Sequence, residues 1–148
     1  MRAVIALGAN IGEPQEQMEI AVALLRESLD VIAVSTFHRT APVGGPEQPD
    51  YLNAVVIAES DLSAMDLLSL LHGIEKTLGR ERIEHWGPRT MDCDLIQYGS
   101  IISKAEELTL PHPRAYERTF VLEPWLEIEP EAILLTHGKV ADLLAALQ

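Results

Sequence analysis

A chain of 148 residues has the length of one domain, and folding at that size buries about 68 to 70% of the surface the unfolded chain exposes, enough for a true core. Hydrophobic residues make up 47% and aromatics only 5%, so Leu, Ile, Val and Ala must build that core while the few rings are free for other duties. A net charge of −12 repels phosphodiester backbones and anionic bilayers and argues against nucleic acid or a membrane as partner; the lone cysteine, Cys93, excludes an intramolecular disulfide and argues against structural zinc.

In chain order, "RAVIALGAN" reads as a buried strand ending in a glycine-containing turn. Its apolar run is too short for a signal-peptide core, and no run approaches membrane-spanning length, so a cytoplasmic location is expected. "GEPQEQMEIAVALLRESL" sets Met18, Ala21, Val22, Leu25 and Leu29 on one helix face, with Pro14 suited to the first turn. "VIAVSTFHRT" and "YLNAVVIAES" are β-rich and flank a loop of about ten residues, long for a hairpin and of a kind that is often functional.

"SAMDLLSLLHGIEKTLG" predicts a helix, with Ser63 as N-cap, Asp66 three residues on, Leu67, Leu71, Ile74 and Leu78 on one face, and Gly79 as C-terminal stop. "RERIEHWGPR" is an irregular polar loop and "TMDCDLIQYG" another strand. The order βαββαβ predicts an α+β, ferredoxin-like sandwich, one sheet with helices on one face, in a single domain of residues 1–148. From Leu108 onward, short apolar runs alternate with prolines and end in a short helical pattern, an additional C-terminal αβ extension.

The charge is distributed unevenly. Five of the eight arginines, Arg80, Arg82, Arg89, Arg114 and Arg118, fall between positions 80 and 118 of an acidic chain, as a small anionic ligand would require. Just after Arg89 comes "DCD". In a strand, Asp92 and Asp94 share a face and Cys93 turns to the other, toward the core. At roughly 6 Å and an effective dielectric of about 20 the two carboxylates repel by about 3 kcal/mol, which a bound cation would reverse; hard oxygen donors without His or Cys suggest Mg²⁺. A bare D-x-D is more often a solvated edge strand. The neighbouring guanidinium groups favour a polyphosphate with its metal.

The rings carry two readings each. Tyr51, after the long loop, and Phe120, in "RTFVL", are by type more often core than ligand platform. Trp86, in a Gly-Pro loop beside charge, suits either the core edge or a flat ligand, and His112, in "LPHPR", either the surface or a phosphate.

"WGPRTMDCDLI" resembles the signature of the 6-hydroxymethyl-7,8-dihydropterin pyrophosphokinase family of folate biosynthesis. The resemblance continues through "ALGAN", "FHRTAPVGGPEQPDYLNAV", "IEKTLGRER" and "LPHPRAYERTFVLEP", in the family's order. It implies transfer of pyrophosphate from ATP to the pterin hydroxymethyl group by a Mg²⁺-dependent diphosphotransferase, with ATP and 6-hydroxymethyl-7,8-dihydropterin as ligands and two Mg²⁺ held by Asp92 and Asp94. Glu75, Arg80, Arg82, Arg89, His112 and Arg118 match ATP-site residues, with Arg82 and Arg89 beside the reacting phosphates. Thr40, Val43, Tyr51, Asn53, Trp86 and Phe120 match the pterin site. His85 stands where some members have Arg, and Pro113 where some have Tyr. A monomer is expected. The rival readings are a nucleotidyltransferase or cyclase palm, which would release pyrophosphate, and a non-catalytic ferredoxin-like module, which would need neither Asp92 nor Mg²⁺.

Overall fold

The computed structural model describes residues 1–41, 50–80 and 91–148, with Arg80 described in its backbone alone. The chain runs through β1 (Arg2–Ala9), α1 (Pro14–Ser28), β2 (Asp30–Val34), β3 (His38–Thr40), β4 (Tyr51–Glu59), α2 (Ala64–Arg80) and β5 (Asp92–Tyr98). A small hairpin, β6 (Ser103–Ala105) and β7 (Leu108–Leu110), follows, and after a 3₁₀ turn at Ala115–Glu117 come α3 (Thr119–Ile128), the hairpin β8 (Ile133–Leu134) and β9 (Gly138–Lys139), and α4 (Val140–Ala146).

The helices start where their sequences direct. Pro14 occupies the first turn of α1, where its missing N–H deprives no carbonyl of a partner. At α2, Ser63 Oγ accepts the Asp66 backbone N–H at 3.1 Å and so caps the helix. Two glycines sit otherwise than their sequence suggests. Gly79 continues α2 to Arg80. Gly8 lies inside β1, paired on both sides, and the turn falls later, at Gly12 with φ 77°. The β-rich stretch before the long loop is broken at Ser35–Phe37 into two strands; Ser35 Oγ replaces a ladder partner there by accepting the Val55 N–H at 2.9 Å.

The main sheet is antiparallel, in the order β2-β4-β1-β5, with β3 also pairing with β4. Strand alternation divides its residues between two faces. Ala3, Ile5, Leu7 and Ala9 of β1, Leu52, Ala54, Val56 and Ala58 of β4, and Cys93 and Leu95 of β5 pack with Met18 and Leu25 of α1 and Leu67, Leu71 and Leu78 of α2 in the larger core. The opposite face is covered over half its length: Val4, Val55, Ile57 and Ile96 pack against Val121, Leu122 and Trp125 of α3 and Val140 of α4. Helices therefore lie on both faces, in contrast to the one-face expectation, because the C-terminal extension folds back across the sheet.

β5 carries an irregularity with a purpose. Against β1, Leu95 faces Ile5 and Gln97 faces Val4, so Ile96 is one residue extra, a β-bulge. Ile96 packs beside Val4, Gln97 reaches Leu135 N and Ile133 O in the extension, and Tyr98 turns to the face covered by α1 and α2.

Candidate functional site

The half of the second face that α3 and α4 leave open forms a cleft of about 410 Å³. Ladder register assembles its floor. Asp92, Gly8, Asn53 and His38 stand in one row across β5, β1, β4 and β3, and Asp94, Ala6 and Val55 form the next. The strands supply carboxylates at one edge, small residues in the middle and an amide at the other side. Tyr51 and Thr40, paired in register, extend the amide side, while Arg118, Thr119, Phe120 and Val121 form the wall where α3 begins.

The smallness of the middle row is structural. A Cβ on Gly8 would lie 3.3 Å from Asn53 Oδ1, closer than side-chain carbons ordinarily come, so glycine here leaves the amide in place and the floor open to a ligand. Asn53 is only 6% exposed, and its Nδ2 donates to Thr40 Oγ1 at 2.7 Å, which fixes the amide's orientation and turns its oxygen to accept from a second group.

At the carboxylate edge, Arg118 Nη1 stands 4.0 Å from Asp94 Oδ2, and its guanidinium lies 5.6 Å from the Phe120 ring centroid. Arg118 thus joins the acidic edge to the aromatic wall. Glu75, at the last full turns of α2, accepts the Cys93 backbone N–H at 2.8 Å and so holds the D-x-D strand at its first residues. Cys93 itself is buried; burial, with the charges of Glu75, Asp94 and Asp92, pushes its thiol well above the ordinary range, and it stays a protonated core residue.

His112 hangs from the outer edge of β5, its N–H donating to Ile96 O at 2.8 Å, and its Nδ1 accepts the Arg114 N–H at 3.2 Å, which leaves Nε2 as the protonated nitrogen of the neutral ring. Burial, then the Arg118 charge, lowers its pKa, with Asp94 pulling the other way.

Of the residues expected from sequence, Thr40, Tyr51, Asn53, Asp92, Asp94, Arg118 and Phe120 meet in this cleft. Tyr51 and Phe120 are cleft walls and not core, and Phe120 is 38% exposed. Glu75 and His112 flank β5. Val43, Arg82, Trp86 and Arg89, the side chain of Arg80 and both Gly/Pro-rich loops lie outside the described residues. Sequence reasoning passed over Ala6, Gly8, Ala41, Thr119 and Val121. For Ala6 and Gly8 a signal existed: small residues alternate with Ile5 and Leu7, which marks one strand face as kept low.

A sheet edge with two carboxylates and a guanidinium, facing two rings and an oriented amide, sets a charged subsite beside a flat, hydrogen-bonding one, the arrangement of a small-molecule cleft. Residues 4–130 match the family described as 7,8-dihydro-6-hydroxymethylpterin-pyrophosphokinase (HPPK), and the chain belongs to that family. Among similar proteins, the 2-amino-4-hydroxy-6-hydroxymethyldihydropteridine pyrophosphokinase of Haemophilus influenzae is 38% identical over 96% of this chain and 90% of its own. The pyrophosphokinase of the same name from Bacillus subtilis is 44% identical over 85% and 77%. A Plasmodium falciparum HPPK-DHPS structure with pterin and p-hydrobenzoate superposes with a TM-score of 0.75 at 13% identity, over 98% of this chain but 44% of that longer one, a likeness of fold.

Proposed function

We propose that the chain transfers the pyrophosphoryl group of ATP to 6-hydroxymethyl-7,8-dihydropterin, giving the pterin diphosphate and AMP, a step of folate biosynthesis. The observation that carries this reading is the division of the cleft: Asp92, Asp94 and Arg118 at one edge suit phosphates, while Tyr51, Phe120 and the Asn53–Thr40 pair suit a planar, hydrogen-bonding bicycle.

Asp92 and Asp94 fit Mg²⁺. They offer carboxylate oxygens alone, on one strand face, with the thiol between them turned into the core. Among the described residues no three His, Cys, Asp or Glu side chains gather into a closed metal cage, and Mg²⁺ typically takes one or two carboxylates and completes its shell with water and substrate phosphates. Two ions held there would neutralise phosphate charge and polarise the reacting phosphorus, an effect worth several kcal/mol.

The chain's own residues bind and orient. Tyr51 and Phe120 hold the bicycle, and Asn53, fixed by Thr40, reads its edge. The hydroxymethyl oxygen bonds to the β-phosphorus as the bond from that phosphorus to the α–β bridging oxygen breaks; AMP leaves with that oxygen and the hydroxyl proton passes to water. Arg118 places positive charge beside the transferred group. Arg80, Arg82, Arg89, Val43 and Trp86 take their roles from the sequence motif alone. His112 and Glu75 act on the nucleotide side, Glu75 also by bracing β5.

The fold is read as ferredoxin-like. With β2 and β3 counted as one interrupted strand, the sheet order becomes second, third, first, fourth, antiparallel throughout, and a C-terminal αβ unit is added. A single domain acting as a cytoplasmic monomer completes the proposal.

Phosphorus NMR of the protein with MgATP and the pterin tests the reading, beside Asp92→Ala. AMP and a pterin diphosphate, absent with the variant, are expected. ADP would mean simple phosphorylation, pyrophosphate a palm-type nucleotidyl transfer, and unchanged ATP a binding module.

A further inference from the structure

One polar cluster takes no part in the chemistry above. Glu127, in the last turn of α3, accepts the Thr36 backbone N–H on Oε2 at 2.8 Å and the Thr36 hydroxyl on Oε1 at 2.7 Å, and the same Oε1 lies 2.6 Å from His38 Nε2. These partners are 89 to 91 residues away along the chain. Burial pulls the Glu127 pKa up, but the Thr36 and His38 hydrogen bonds outweigh it and hold the carboxyl below its ordinary value, in the anionic form that accepts all three.

The position of the cluster matters more than its strength. Glu127 is partly exposed, and ion pairs in such places contribute little stability, about 0 to 1 kcal/mol. The core side of α3 is already held by Val121, Leu122 and Trp125. Glu127 instead lies seven residues after Phe120, two helical turns along the same stripe, about 10 Å away. One end of that stripe carries the ring that walls the cleft and the other is bonded to the strand connection at Thr36–His38. His38 opens β3 opposite Asn53, and Thr40 ends it opposite Tyr51. Because Ser35–Phe37 interrupt the strand, the ladder alone does not hold β3 against α3.

We propose that Glu127 is a positioning residue for the pterin half of the cleft, clamping α3 to β3 so that Phe120 stands at a fixed spacing from Thr40, Asn53 and Tyr51. Substrate does not touch it. A small roll of α3 about Trp125 would carry Phe120 off the bicycle while leaving Asp92 and Asp94, which stand on β5, in place; Arg118, which precedes the helix, is held from their side by Asp94 at 4.0 Å. The inference rests on the proposed function for the identity of the ligand.

The test is equilibrium titration of the full chain with 6-hydroxymethyl-7,8-dihydropterin at saturating non-hydrolysable MgATP analogue, and of the analogue alone, together with melting curves. Glu127→Ala is expected to weaken pterin binding about tenfold with analogue binding changed less than about twofold. Glu127→Gln, which keeps an acceptor for Thr36, should recover most of that loss. Arg2→Ala, which removes the 3.1 Å ion pair to Glu129 at the same helix end but on another partner, should leave both affinities alone. Thr36→Val provides a milder lesion should the alanine variant fail to fold. Unchanged pterin affinity in folded Glu127→Ala, an equal fall in both affinities, or an equal effect of Arg2→Ala would each overturn the clamp. A wild-type protein that binds no pterin would instead overturn the proposed function.

Discussion

The second face of the sheet has two halves built from the same strands, and they do opposite things. At one end Val4, Val55, Ile57 and Ile96 lie under Trp125 and the rest of the C-terminal extension. At the other, Gly8, Asn53, Asp92 and Asp94 stay open as a cleft. Backbone, pleat and pairing partners are shared, so residue type alone separates them. Apolar β-branched side chains recruit a cover, because each buried one contributes about 1.5 to 3 kcal/mol; carboxylates refuse it, because burying them unpaired costs more, and the Asn53 amide is buried only with its bond to Thr40 made. Core and site are therefore consecutive positions on one surface, two residues apart along β4 and β5.

This contrast is broken most severely at the open end. Asp94→Ala should lower pyrophosphoryl transfer by at least about 1,000-fold while the melting temperature holds or rises, since repulsion with Asp92 is relieved. AMP release and a melting curve together check it; substantial transfer with normal Mg²⁺ dependence would remove the carboxylate assignment. At the covered end, Trp125→Ala should cost about 3 to 5 kcal/mol in urea unfolding, yet the surviving folded molecules should still transfer pyrophosphate at low temperature, with pterin held more weakly because α3 also carries Phe120. The two variants exchange their losses, activity for stability.

Smaller changes sharpen the same line. Tyr51→Ala should weaken pterin binding about tenfold and leave ATP affinity within about twofold, by calorimetry. His112 supplies the smallest effect. Burial and Arg118 hold its pKa below the ordinary 6.5, so the unfolded chain takes up the proton first as pH falls. The neutral ring's contribution is whole above pH 6.5 and is lost as pH drops below it toward the folded pKa. Between about pH 7.5 and 5.5 the melting temperature of wild type should therefore fall slightly more than that of His112→Gln. Equal slopes would show that burial and Arg118 together do not lower the ring's pKa.

Much of this was legible in the sequence, for identifiable reasons. Period-2 alternation placed Asp92 and Asp94 together and turned Cys93 inward, and cap chemistry at Ser63 fixed the start of α2. The motif brought Arg118 and Phe120 into one site with Tyr51, which no local pattern could do, since their meeting depends on the extension folding back. Two of the three features that escaped are tertiary, and the third, Gly79, shows that residue type alone does not end a helix. Gly8 is conformationally ordinary, and its importance lies in the Asn53 oxygen above it. Gly79 has the residue type of a helix stop but continues α2. Covering of the second face could not be read from short apolar runs broken by Pro124 and Pro130.

The bulge at Ile96 gives β5 two reading frames. Up to Asp94, even-numbered residues look into the cleft; after the extra residue the parity flips, and Tyr98 is on the helix side with its hydroxyl donating to Leu62 O at 2.6 Å. Substitutions along this strand act one residue at a time, whereas a change of length acts on all of them. Deleting Ile96 would take out the bulge and keep Asp94 opposite Ala6 and Tyr98 opposite Ala3, at the loss of the side chain beside Val4, whereas inserting a further residue would force a choice between the aspartates' places opposite Ala6 and Gly8 and the tyrosine's place opposite Ala3. The strand can therefore lose its extra residue more readily than it can take another.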